Sequence, residues 1–223
     1  MDATDYELVD IFNWQEEAEG MISQMEFVRR VDVQTETIER YVREGKLIPD
    51  LVVPMSEHRT FKYFKEETLE KYARQYGWTL IDNSNRKDMF MDMIRQMDMS
   101  YSYKPVLIKA ILLYADERGR IKLEDVVSYF KTYYEGRRSA GLTVEKKNSI
   151  FAKGGYTDKE AERNILANPF KRFEDMQMLR HTKTLGIVQV DESVWKRLSK
   201  EEKIEIEKIC NEKIELYYEK ITG

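Results

Sequence analysis

The chain has 223 residues, 42% hydrophobic and 35% charged, with a formal net charge of −4, long enough for a real core and better divided into two small domains than packed as one. Ten glycines and four prolines are about half of ordinary usage, so turns are few and a mainly α protein is expected. One cysteine (Cys210), two histidines (His58 and His181) and no run of ~18 apolar residues exclude a disulfide framework, a cysteine- or histidine-built metal site and a membrane span.

In chain order, residues 1–20 come first as an acidic head. They carry seven acids (Asp2, Asp5, Glu7, Asp10, Glu16, Glu17, Glu19) and no base, interleaved with Tyr6, Val9, Ile11, Phe12 and Trp14. Such a start is the reverse of a secretory signal, and a cytoplasmic protein is expected. The head is read as an amphipathic segment that packs on the domain after it.

A first domain is expected over 21–78. Ser23, with Glu26 three residues on, has the pattern of a capping box opening a short helix, Met25 to Val31. A turn at Asp32 and Val33 leads to a second helix, Thr35 to Glu44, which Gly45 can end in a left-handed conformation. Leu51 to Pro54 and Thr60 to Phe64 read as strands of a small hairpin around Met55–His58, and Lys65 to Tyr76 as a helix closed by Gly77.

Helix, tight turn, helix, hairpin, helix is the layout of a winged helix-turn-helix. Its second helix enters a major groove with one face and packs with the other. Here Ile38, Tyr41 and Val42 supply the apolar side. Gln34, Thr35, Thr37, Arg40 and Arg43 are left for DNA, and His58, Arg59 and Lys62 in the hairpin can reach phosphate or a minor groove.

The run QTETIERYVREGKLIPD (34–50), followed by HRTFKYFKEETLEKY (58–72), resembles the MerR-like and excisionase-like DNA-binding domains. Thr37, Arg40, Tyr41, Arg43, Glu44, Gly45, Lys46 and Leu47 match the pattern T-[VIL]-x-R-[WY]-x-R-E-G-K-L of their recognition helix. The resemblance covers about sixty residues. It implies a compact winged helix that binds double-stranded DNA as a regulator or as a directionality factor of mobile elements, with Tyr41 and Lys46 added to the DNA-facing set. Glu39 departs from it, standing where many relatives carry Arg.

Residues 79–100 are read as a polar linker (79–88) and a Met-rich helix, Met89 to Met97, with Met89, Phe90, Met93, Ile94 and Met97 at helical spacing for a core or a dimer contact. A second domain is expected over 101–198. Its helices are Val106 to Arg118 after Pro105, Leu123 to Arg138, and Thr157 to Asn168 behind a Thr157/Glu160 capping box. The last of these restarts after Pro169 as Phe170 to Leu179. Residues 141–156 read as loop and Leu185 to Val190 as a strand. A final helix over 199–223, opened by Ser199 and Glu202, bears Ile206, Cys210, Ile214, Tyr217 and Ile221 on one stripe.

The patterns YSYKPVL, NPFKRFEDM and LGIV of this half resemble a non-catalytic domain appended to bacterial helicases and restriction or phage-defence proteins, which implies a second winged-helix-like fold with short β wings. Residues 101–190 hold 17 basic and 11 acidic groups. Arg137, Arg138, Lys146, Lys147, Lys153, Lys171, Arg172, Arg180 and Lys183 either line a second phosphate-binding face or are solvated and paired with Asp158, Glu160, Glu162 and Glu174.

There is no P-loop, no dinucleotide glycine motif and no nucleophile–base set. The expectation is a non-enzymatic, sequence-specific DNA-binding transcriptional regulator of a bacterium or mobile element, without metal or cofactor. The Met-rich helix and the last-helix stripe suggest a homodimer. The alternative is a non-catalytic DNA-binding or adaptor protein of a mobile-element or phage-defence system, docking to a nucleic-acid machine through its C-terminal half.

Overall fold

The computed structural model describes residues 14–56 and 59–222. It is mainly helical, with two small three-stranded antiparallel sheets, and divides into two compact units, residues 1–82 and 83–223. Residues 1–13 and His58 lie outside the described residues, and with them most of the acidic head.

The first unit runs β1 (Ile22–Ser23), α1 (Gln24–Arg29), α2 (Thr35–Arg43), β2 (Leu51–Ser56), β3 (Arg59–Phe64) and α3 (Glu66–Tyr76). The Ser23 hydroxyl accepts the Glu26 amide at 3.1 Å and caps α1, because the first helical N–H groups have no partner of their own. The sheet order is β1-β3-β2, with a bulge between Pro54 and Ser56 on β2. The core is built from Phe27, Val28, Val31, Ile38, Leu47, Phe64, Leu69 and Tyr72. Its centre is the Phe27–Phe64 pair, 4.7 Å between ring centroids.

The stretch read as a linker is not one throughout. The Asp32 amide donates to the Thr79 carbonyl at 3.1 Å, the Thr79 amide donates to the Asp32 carboxylate at 2.7 Å, Val31 bridges Leu80, and Ile81 is buried. Residues 79–81 therefore close the first unit over the turn between α1 and α2. Their polarity in sequence hid this, since the bonds are made by backbone and by one aspartate 47 residues away.

The second unit runs α4 (Arg86–Arg95), α5 (Tyr103–Tyr114), β4 (Arg120–Lys122), α6 (Leu123–Ser139), α7 (Ile150–Lys153) and α8 (Asp158–Ile165). A π-helical turn (Leu166–Phe170), α9 (Lys171–Asp175), β5 (Leu179–Thr182), β6 (Ile187–Val190), α10 (Glu192–Trp195) and α11 (Lys200–Thr222) complete it. Helix α5 is apolar nearly all round, with seven buried residues, and is the element about which the unit packs. The sheet order is β4-β6-β5. Ile121, Val188 and His181 share a cross-strand row on the inner face, and Arg120, Gln189 and Arg180 a row on the outer face.

Several boundaries differ from the expectation. Helix α5 stops at Tyr114 rather than Arg118, because the Asp116 carboxylate accepts the amides of Arg118 and Arg120 and folds a turn. Gly119 sits in that turn at φ +73, where a Cβ would lie 2.7 Å from the Trp195 ring, so only glycine fits. The helix expected over 170–179 ends at Asp175. Gln177 is left-handed (φ 56), and the chain becomes β5, whose Leu179 is buried beneath the sheet. The 141–156 loop contains α7, capped by the Ser149 hydroxyl.

The two stripes that suggested a homodimer are covered within the second unit. Phe90, Ile94 and Met97, like Ile206, Cys210, Ile214 and Tyr217, are buried in its core, and Met89, Met93 and Ile221 are half-buried against it. Burial also pushes the Cys210 thiol up to about 12, which makes it a small hydrophobe rather than a reactive thiol. Helix α4 belongs to this core and not to a linker: Arg86 lies 3.9 Å from Asp191, and Lys87 pairs with Glu202 at 2.6 Å. Among the described residues no helix is long and apolar enough to cross a membrane.

Replacing Ile94, which is fully buried, by alanine should cost about 2–5 kcal/mol by lost burial and a residual cavity. Urea denaturation followed by circular dichroism checks this. A face reserved for a partner copy would lose far less in the isolated chain.

Candidate nucleic-acid interface

Helix α2 is held from beneath by Ile38, which has no exposed surface, and begins at Gln34, whose carbonyl accepts the Thr37 and Ile38 amides. At 100° per residue this leaves Glu36, Glu39, Arg40 and Arg43 on the outer face, with Thr35 and Thr37 on its flanks. All four outer residues are exposed. Among the described residues neither Arg40 nor Arg43 makes an ion pair, and Arg40 rests 5.4 Å from the Tyr41 ring. Two bases and two acids therefore share the exposed face, so its field is weak and its information lies in hydrogen-bonding groups.

Tyr41 and Lys46, carried into the DNA-facing set by resemblance, have other tasks. The Tyr41 ring packs against Tyr76 at 5.0 Å and Trp78 at 5.9 Å, and Tyr76 stacks on Trp78 at 4.9 Å. Lys46 is exposed, and its Nζ meets a Glu44 carboxylate oxygen at 2.7 Å. The hydrogen bond holds the Glu44 carboxyl below its usual range and the Lys46 ammonium above its own.

The chain leaving α2 is fastened by α3. The Ile48 amide donates to the Tyr72 hydroxyl at 3.0 Å, and the Tyr76 hydroxyl donates to the Lys46 carbonyl at 2.9 Å. The hairpin that follows bears Arg59 and Lys62 on opposite faces of β3. Arg59 is exposed, with its guanidinium 5.0 Å from the Phe61 ring, and Lys62 is half-buried opposite Val52. The structure thus brings Gln34, Thr35, Thr37, Arg40, Arg43, Arg59 and Lys62 into one unit.

The basic residues of the second unit are not gathered in this way. Arg137 donates to the Thr143 carbonyl at 2.8 Å and covers the Tyr218 ring at 3.3 Å. Arg138 donates to the Phe151 carbonyl at 2.7 Å and faces Glu135 at 3.2 Å. Lys146 donates to the Ser100 carbonyl at 2.7 Å, and Lys171 pairs with Asp175 at 2.6 Å. Lys147, Lys153, Arg172, Arg180 and Lys183 are exposed on separate elements.

Arg137 and Lys146 flank a polar cluster that no sequence pattern announced. Glu145 is 5% exposed and accepts the Ser102 amide at 2.9 Å, the Ser102 hydroxyl at 2.6 Å, the Lys146 amide at 2.9 Å and the Tyr217 hydroxyl. Ser102 also meets the Tyr134 and Tyr218 hydroxyls, at 2.8 and 3.2 Å. Burial drives the Tyr134 phenol well above its usual range, so it stays neutral. The members lie up to 116 residues apart, and only folding assembles them. Their effect is to pin residues 143–149 to α5 and α11.

No family model, no curated protein and no solved structure matches the chain.

Glu145→Ala would strand three to four buried donors and should cost about 3 kcal/mol of stability, with Arg40→Ala as a surface control that leaves the denaturation midpoint in place. Equal midpoints for the two variants would show that the cluster is dispensable.

Proposed function

We propose that the first unit is a winged helix-turn-helix that binds double-stranded DNA, and that the chain is a non-enzymatic, sequence-specific transcriptional regulator in the cytoplasm of a bacterium or serving a mobile element. The observation that carries this reading is α2. It is a short helix fixed by a buried isoleucine, with two unpaired arginines outward, threonines on its flanks, and a two-stranded hairpin fastened beside it. Arginine pairs bidentately with guanine edges, and amide or hydroxyl groups pair with adenine or phosphate. Arg40 and Arg43 are therefore the base-reading pair, Gln34, Thr35 and Thr37 the helix-start contacts, and Arg59 and Lys62 the wing contacts. The match to the MerR-like recognition-helix pattern supports the same assignment.

In the second unit α5, β4 and α6 are followed by α7, α8, a π-helical turn and α9 before the β5–β6 hairpin, in a β4-β6-β5 sheet. This unit is not read as a second DNA module. Arg137, Arg138, Lys146 and Lys171 are committed to bonds within the unit, and α8 exposes Asp158, Glu160 and Glu162 beside Lys159 and Arg163. This favours the adaptor variant of the reading, in which the first unit holds DNA and the second docks a protein partner. With both apolar stripes covered, the chain is read as a monomer on an asymmetric site.

Arg40→Ala and Arg43→Ala should each weaken specific binding by about 1–3 kcal/mol and relax the base preference at one position. Gel shifts against selected and scrambled duplexes measure this. Equal losses on all sequences would reassign the arginine to phosphate, and no loss on any sequence removes α2 from the interface.

Light scattering at micromolar concentration should return the monomer mass of 26.7 kDa, with and without duplex. A mass twice that would restore the homodimer.

A further inference from the structure

The segment before β1 is attached to the hairpin. Residues 14–17 form a helical turn, with the Ala18 amide donating to the Trp14 carbonyl at 2.9 Å, and Gly20 turns the chain at φ +76 into β1. Ile22 and Ser23 then pair with Phe64 and Tyr63 at the edge of β3. The reversal lays Trp14 over the sheet. Its ring stacks on Tyr63 at 5.8 Å and meets Phe61 edge-on at 6.3 Å. Alternation along β3 places Arg59, Phe61 and Tyr63 on one face, so Trp14 sits on the hairpin face that carries Arg59. Glu16, Glu17 and Glu19 follow directly and are exposed.

We propose that this is an autoinhibitory contact: Trp14 tethers the acidic segment to the Arg59 face of the hairpin, where its carboxylates oppose the approach of a DNA backbone of any sequence. The proposal rests on the DNA-binding reading and adds its regulation. Seven acids and no base in the first 20 residues is a local charge opposite to what a DNA-binding surface needs. The aromatic contact keeps Glu16, Glu17 and Glu19 beside the hairpin. Repulsion between carboxylates and phosphates carries no sequence information, so it lowers affinity for every duplex alike, while base contacts by Arg40 and Arg43 retain their discrimination. The contact thereby weakens duplex binding as a whole without altering which bases are preferred.

The test compares the full chain with the triple variant Glu16→Gln, Glu17→Gln, Glu19→Gln, which keeps Trp14 and its packing. Fluorescence anisotropy on a scrambled duplex at low salt should show binding about tenfold tighter for the variant. The gap should close as the screening length falls to about 8 Å near physiological ionic strength. Trp14→Ala should tighten non-specific binding in the same direction, by loosening the tether. Equal or weaker binding by the neutralised variant, with binding by the unaltered chain still reduced by Arg40→Ala, overturns the autoinhibitory contact and leaves the DNA-binding reading standing. Absence of duplex binding by every variant at low salt overturns both.

Discussion

Two phenolic hydroxyls on α3 set the geometry on which the candidate interface depends. Tyr72 accepts the Ile48 amide and Tyr76 donates to the Lys46 carbonyl, so the segment between α2 and the hairpin is bound at two points one turn of α3 apart. These bonds add to the backbone bonds of Lys46 and Leu47 to the Tyr41 carbonyl and of Asp50 to the Tyr63 carbonyl, and to the burial of Leu47, in fixing residues 45–50 between α2 and the hairpin. With them, the two elements present one surface. Rigid placement matters because a bidentate base contact tolerates little error in position, and each contact made from a mobile element is weakened by the entropy of ordering it. Tyr72 stacks on Tyr76, which meets Tyr41 edge-on and stacks on Trp78, so the aromatic cluster that stiffens the joint also holds the C-terminal half of α2.

The distribution of charge follows from where arginine and lysine are needed inside the molecule. In the second unit the guanidinium groups of Arg137 and Arg138 satisfy loop and helix carbonyls that would otherwise lie orphaned around residues 143 and 151. Lys146 does the same at Ser100. A basic excess in the sequence of this half therefore does not amount to a basic face. In the first unit acids outnumber bases, 18 to 10, yet Arg40 and Arg43 remain without ion-pair partners among the described residues. Net charge is a poor guide to either half, and the placement of individual groups is the informative quantity.

The second unit obtains its order from a core and one buried polar cluster acting together. Apolar packing around α5 is non-directional and would tolerate several positions of the long connection between α6 and α8. Glu145 and its tyrosine and serine partners are directional, since each donor must point at a carboxylate oxygen, and an unpaired member in that setting is costly. The cluster selects one position of the connection from those the core would allow.

The sequence by itself determined most of the elements, the candidate interface helix among them. The capping residues Ser23, Thr157 and Ser199 start helices as their spacing indicates, and α2 lies where its apolar period placed it, because caps and periodicity act within a few residues along the chain. What only the tertiary structure decided involves partners far apart in sequence. Asp32 with Thr79 moved the boundary of the first unit, and Asp116 ended α5 early. The strand β5 replaced a helical end once Leu179 could be buried. The Met-rich helix and the last stripe became core, since an apolar stripe states that it will be covered and not by what. Arg40 and Arg43 are exposed on the outer face that their helical spacing indicates, whereas Arg137 and Arg138 look the same in sequence and are held by carbonyls that only folding brings within reach.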